Sequence, residues 1–182
     1  MRSERILGVT IALLLGALLA LPLGNAQSAE PASSEALPEF NRIVLRLVRE
    51  YPTDGTHRYW WPRAGESNYD GCTRDLFLLG QRVMRGEAEG RTYCCGVTLE
   101  VFLRAYQEWL AGHGGEQATR VRPEDWPRFQ KLWFVLKQNG PGPSAALEAF
   151  GLGKTIPREE ALPGDFVQIW RTKNTAGKMT GH

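Results

Sequence analysis

The run Tyr93-Cys94-Cys95-Gly96-Val97-Thr98 opens a segment whose periodicity constrains this chain more than any other stretch. Cys95, Leu99, Phe102, Tyr106 and Trp109 recur at alternating steps of four and three, which places them on one stripe of a helix. Gly112, Gly114 and Gly115 stop that helix beyond Leu110. Cys95 therefore reads as the start of a core-facing stripe. Cys94 lies about 100° away around the helix, on a face continued by Thr98, Val101 and Ala105. Those smaller side chains would let another element approach closely. Backbone N–H groups and the macrodipole at a helix start favour a thiolate, so Cys94 is the expected functional thiol.

The other segments follow from the same spacing rules. Phe40, Ile43, Val44, Leu47, Val48 and Tyr51 predict an amphipathic helix that Pro52 and Gly55 end. The aromatic cluster Tyr59-Trp60-Trp61-Pro62 is expected to lid a core, the alternative being the wall of a groove. Thr73 is the expected N-cap of a helix through Leu76, Leu79, Val83 and Met84 that ends before Gly86. A further helix starts near Asp125-Trp126-Pro127 and turns Phe129, Leu132, Trp133 and Leu136 inward. Gly140-Pro141-Gly142-Pro143 breaks the chain, and Ser144 caps a short helix Ala145–Phe150 stopped by Gly151. Leu162-Pro163-Gly164-Asp165 reads as a turn and Phe166–Arg171 as a strand. Thr172–Gly181 is then a hairpin loop, and His182 opens the returning strand.

The N-terminus speaks to destination. Arg2 and Arg5 precede an apolar run from Ile6 to Leu23, and Gly24-Asn25-Ala26 supplies the small residues a signal peptidase needs. Residues 1–26 are the expected secretory signal, with an uncleaved anchor helix as the competing reading. Residues 27–38 form a flexible Ser-, Ala-, Pro- and Glu-rich spacer. The expected location is exported, periplasmic or extracellular, with membrane contact only through the signal segment. In an oxidising compartment the three cysteines allow a Cys72–Cys95 bridge with Cys94 free, or three thiols. The 182 residues, 42% hydrophobic, suit one domain with a core, and a net charge of +2 without a basic cluster argues against nucleic acid.

Motifs narrow the chemistry. The cysteines and His57, His113 and His182 contain no C-x-x-C, H-x-x-x-H or H-E-x-x-H spacing, so no metal is expected. No phosphate-binding or dinucleotide-binding glycine motif stands in a suitable context, so no cofactor is expected either. His57, after a turn, and His113, at a glycine-rich helix end, read as exposed surface residues. A cysteine at a helix start and a histidine beyond a late strand are the skeleton of thiol-based acyl transfer.

Four of these stretches carry a resemblance. Cys94-Cys95-Gly96-Val97 resembles the Cys-Ser-Gly-aromatic motif of the NlpC-type cell-wall cysteine peptidases. Leu162-Pro163-Gly164-Asp165-Phe166-Val167 is similar to that family's Pro-Gly-Asp-hydrophobic strand, and Gly181-His182 to its Gly-His. Tyr59-Trp60-Trp61 is a weaker match to an upstream Tyr-x-Trp. Tyr93, Cys95 and Val97 depart from the family's usual Asp, Ser and aromatic residues. The resemblance implies an α+β, papain-like fold over residues 39–182, with a Cys-bearing helix packed on an antiparallel sheet. It implies Cys94 as nucleophile, His182 as general base and Tyr59 as a third site residue. In that family the sheet continues past the histidine, so the chain reads as truncated there, without its C-terminal strands. The implied activity is cysteine-peptidase or amidase hydrolysis of peptidoglycan stem peptides by a monomer. The alternatives are amide or ester acyl hydrolysis on the same scaffold, or a non-catalytic exported binding domain with structural cysteines.

Overall fold

The computed structural model describes residues 37–61, 69–134, 142–173 and 179–181. The signal segment, most of the spacer, Leu136, Gly140-Pro141 and His182 lie outside the described residues. Within them the architecture mixes helices with two small antiparallel hairpins, an α+β composition. No helix among them is long and apolar enough to cross a membrane.

Helix α1 (Glu39–Arg49) forms where the three–four spacing placed it, and buries Ile43, Val44 and Leu47. These pack on Val101 and Ala105 of α2 (Cys94–Gly112), the helix that opens on the two cysteines. Ala105 is completely buried, and its short side chain is what lets α1 come close. The opposite stripe of α2 behaves as its period requires. Leu99, Phe102 and Tyr106 are buried in the main core, and Cys95 and Trp109 pack partly buried against it.

The segment expected to be a helix capped by Thr73 is instead a β-hairpin, β1 (Leu76–Leu78) and β2 (Gln81–Met84). Leu76 pairs with Met84, and Leu78 with Gln81. The apolar residues fit both periods, and the turn decides. Leu79 and Gly80 both take positive φ, 49° and 78°, the backbone of a tight two-residue hairpin turn that no helix contains. Alternation then buries Leu76, Leu78 and Met84 and leaves Phe77 half exposed.

Thr73 has another partner. Its N–H and hydroxyl both donate to the carboxylate of Glu100, at 2.7 and 2.8 Å. Glu100 is fully buried midway along α2, with the Arg74 guanidinium 3.4 Å away. This pair ties the loop before the hairpin to α2. Glu100→Ala should cost about 3 kcal/mol, because it strands a buried N–H and a hydroxyl at once. Urea denaturation read by tryptophan fluorescence checks this, and an unchanged midpoint refutes it.

Helix α3 (Trp126–Trp133) follows a short 3₁₀ turn, Pro123–Asp125, and buries Trp126, Phe129 and Trp133. Phe102 of α2 stands at the centre of this aromatic core, 5.3 Å from the Phe129 ring and 5.1 Å from Trp133. Helix α4 (Pro143–Ala149) starts two residues earlier than Ser144 capping would require, because Gly142 at φ 57° is its N-cap.

Leu162–Asp165 is the expected turn. Pro163 and Gly164 (φ 96°) take the two central positions, and the Asp165 N–H donates to the Leu162 carbonyl at 3.0 Å. Regular pairing begins later than expected. Among the described residues Phe166–Ile169 has no ladder partner, and β3 (Trp170–Lys173) pairs antiparallel with β4 (Met179–Gly181). The returning strand thus precedes His182 rather than beginning with it. The sheet expected beneath the cysteine helix is replaced, among the described residues, by α1 on one side and the β1–β2 core on the other.

Candidate functional site

The first turn of α2 is held from two sides. On one, the loop before β1 presses on it so closely that only glycine fits at position 96. A Cβ there would overlap the Asp70 carbonyl and the Gly71 backbone. The Tyr93 N–H also donates to the Gly71 carbonyl at 3.2 Å. On the other side, the Thr98 hydroxyl donates to the Cys94 and Cys95 carbonyls at 3.0 and 3.1 Å. That hydroxyl accepts from the Trp133 indole N–H at 3.3 Å. Tyr93 is the N-cap in extended conformation, and no side chain caps the helix. The Cys95 thiol takes hydrogen bonds from the Cys95 and Gly96 N–H groups of that turn.

A cleft of about 400 Å³ opens at this turn. Val44, Leu45 and Val48 of α1 and Cys94, Cys95, Thr98 and Val101 of α2 form one wall. The run Gly164–Ile169 forms the opposite wall, with Trp133 and Pro143 closing one end. The turn before that run is docked on α1 through Asn41. Its amide donates to the Pro163 carbonyl at 3.1 Å and to the Asp165 carboxylate at 2.8 Å. The second carboxylate oxygen of Asp165 accepts the Leu162 N–H at 2.7 Å. Asp165 is thus committed to holding the wall.

No disulfide joins the three cysteines, so the Cys72–Cys95 bridge is not formed. Cys72 is fully buried, and burial pushes its thiol up to about 12. Cys95 is raised further, first by its hydrogen bond with the Cys94 thiol and then by burial. Cys95 is therefore the member of the pair held protonated. Cys94 and Thr98 line the cleft together, on the face opposite the Leu99 and Phe102 core contacts.

Tyr59 reaches the same place by a different route. Residues 58–60 run beside Thr92, with Trp60 N–H donating to Thr92 O at 2.8 Å and Thr92 N–H to Arg58 O at 2.9 Å. This bridge sets Tyr59 next to the start of α2. Its phenol is raised from the ordinary value by partial burial, by the nearby Cys94 and Cys95 thiols, and by a hydrogen bond to Cys94. Its ring remains 62% exposed. Trp60 is half buried, stacks on Tyr69 at 5.5 Å and carries the Arg91 guanidinium 3.9 Å above its ring, whereas Pro62 lies outside the described residues. Trp61 is exposed and packs edge-on against Tyr93. Tyr59→Phe should slow Cys94 alkylation at neutral pH about tenfold and move its pH profile upward, since a donor to the thiolate is lost. A profile identical to the parent's removes Tyr59 from the site.

The histidines divide. His57 is half buried, not exposed as expected, because Gly90 O holds its Nδ1 at 2.9 Å. His113 is exposed, stacks on Trp109 and faces Glu39 at 3.5 Å. Neither lines the cleft. His182 lies outside the described residues, next to the end of β4. No group of three His, Cys, Asp or Glu side chains among the described residues could hold a metal ion. Sequence reasoning missed Glu100, Asn41 and the Thr98–Trp133 link. Only the Asn41 contact had a signal, a polar residue opening an otherwise apolar helix face.

Compared with models of protein families, with curated proteins and with solved structures, the chain matches none of them.

Proposed function

We propose that this chain is an exported cysteine hydrolase in which Cys94 attacks an amide or ester carbonyl, on a papain-like arrangement. The observation that carries the reading is the placing of Cys94. Its thiol stands at a helix start, in the wall of an open cleft, with the Tyr59 hydroxyl as hydrogen-bond partner. His182 is the general base of the proposal. In support, the cleft wall Gly164–Ile169 runs directly into β3, and β4 ends at Gly181, one residue before it.

In the proposed reaction the imidazole takes the Cys94 proton and Sγ adds to the carbonyl carbon. The developing oxyanion is stabilised by N–H groups of the first turn of α2. The tetrahedral intermediate collapses, the imidazolium protonates the departing amine or alcohol, and an acyl thioester remains on Cys94. Water, deprotonated by the same imidazole, releases the acid and restores the thiol. Export and the family resemblance together point to peptidoglycan stem peptides as substrate.

The test offers the purified chain muropeptides, N-acyl amides, esters and thioesters, with and without prior treatment by iodoacetamide. Hydrolysis of at least one class, abolished by the alkylation, is the expected result. Failure to cleave any class across pH 5–9 overturns the proposal.

A further inference from the structure

The cleft says more about the acyl group than the thiol does. Its walls are aliphatic or aromatic, and Thr98, Asp165 and Gln168 are the polar side chains among the lining residues. Both Asp165 oxygens and the Thr98 hydroxyl are already engaged within the protein. No Arg, Lys or His lines the cleft among the described residues. A substrate carboxylate placed there would lose its hydration, meet no cation and face the Asp165 carboxylate, and an ammonium would find the Asp165 oxygens already taken up by Asn41 and the Leu162 N–H. At the rim, Val48, Val167 and Ile169 are 51%, 69% and 48% exposed, an apolar margin around an opening where solvated side chains are the rule. A volume near 400 Å³ falls within the range of about 300–1,000 Å³ typical of small-ligand pockets.

We propose that the cleft beside Cys94 is an acyl-binding subsite that takes an uncharged hydrocarbon chain. The inference rests on the hydrolase reading and names its substrate class: the bond cleaved by Cys94 carries an apolar acyl group, lying between α1 and Gly164–Ile169. A stem peptide is then a substrate only where its acyl side presents no free carboxylate to this subsite.

N-alkylmaleimides test it without requiring turnover. The Cys94 thiolate adds across the maleimide double bond, and the resulting carbanion takes a proton from water, so the rate reads how well the alkyl chain is received next to Cys94. Rates are measured for N-ethyl-, N-butyl- and N-hexylmaleimide on the full chain, with the adduct mapped by mass spectrometry. Glutathione and the urea-unfolded chain are the references. The expected result is a rise of about threefold for each methylene that enters the cleft, absent from both references. Val48→Asp and Val167→Asp, both at exposed rim positions, should flatten the rise, read as the ratio of the N-hexyl- to the N-ethylmaleimide rate on the same variant so that any change in the thiol itself cancels. A flat series on the parent chain overturns the subsite, and so does a rise that survives both substitutions. Hydrolysis with a flat series sinks this inference alone. A rising series on a chain that hydrolyses nothing sinks the hydrolase reading and leaves the hydrocarbon preference of the cleft standing.

Discussion

Cys94→Ser should lower kcat/KM by about three orders of magnitude or more, whereas Cys95→Ser should cost no more than about tenfold. The asymmetry follows from two adjacent residues meeting different surroundings. Cys95 packs against the core with Leu99 and Phe102, and its thiol is held protonated by the hydrogen bond to Cys94 and by burial. It can serve Cys94 as a neighbour, but it supplies no thiolate of its own. A hydroxyl at position 95 keeps a hydrogen-bonding group beside Cys94 and mainly disturbs packing. A hydroxyl at position 94 replaces a group that ionises readily with one that does not. Alkylation by iodoacetamide should accordingly show one fast thiol, mapped to Cys94, and one pH wave. Cys72 lies above the neutral range at about 12 and stays silent in the folded chain. The opposite ranking of the two serine variants, or a fast-reacting Cys95, sinks the assignment.

The difference between the two cysteines was legible in the sequence because a helix rotates neighbouring residues by a fixed angle. The stripe from Cys95 through Tyr106 and the Val101–Ala105 face both point where their periods send them. The fine fold was less legible where a single turn outweighs a period. Leu76, Leu79, Val83 and Met84 satisfy a helical spacing, and only the positive φ of the Leu79-Gly80 pair reveals a hairpin. Glycine at the second of those positions was the available signal, whereas leucine in a left-handed conformation gave none. Glu100 was illegible for another reason. A glutamate in mid-helix normally faces water, and its partner here is a backbone N–H 27 positions away, which no local pattern encodes. The strand expected at Phe166 begins at Trp170, because the preceding run lines the cleft and, among the described residues, has no neighbouring strand with which to pair.

The close approach that sets Cys94 in place makes Gly96 the position most sensitive to a single added methyl. Gly96→Ala should destabilise the chain by about 3 kcal/mol or more, although alanine is the better helix former by about 1 kcal/mol. The new Cβ would lie 2.5 Å from Gly71 Cα and closer still to the Asp70 carbonyl oxygen. These are backbone atoms, so no rotamer change relieves the overlap. Nor can the loop retreat freely. Asp70 N–H donates to Arg85 O at 2.7 Å, and its carboxylate accepts from the Arg85 N–H at 2.7 Å and the Gln130 amide at 3.0 Å. Glu100 anchors the same loop through Thr73. Relief must therefore come from displacing the first turn of α2, which moves Cys94 with it. Gly112→Ala at the far end of the same helix is the control, since a Cβ there meets nothing within 4 Å. It should be neutral or stabilising by up to about 1 kcal/mol. For a chain of this size the Gly96 variant should melt about 6–12 °C below the parent. Near its own melting range it should also lose the selectivity of alkylation for Cys94. Equal melting temperatures for the two alanine variants mean that the loop is not pressed on the helix in solution, and the placement of Cys94 in the cleft wall loses its cause.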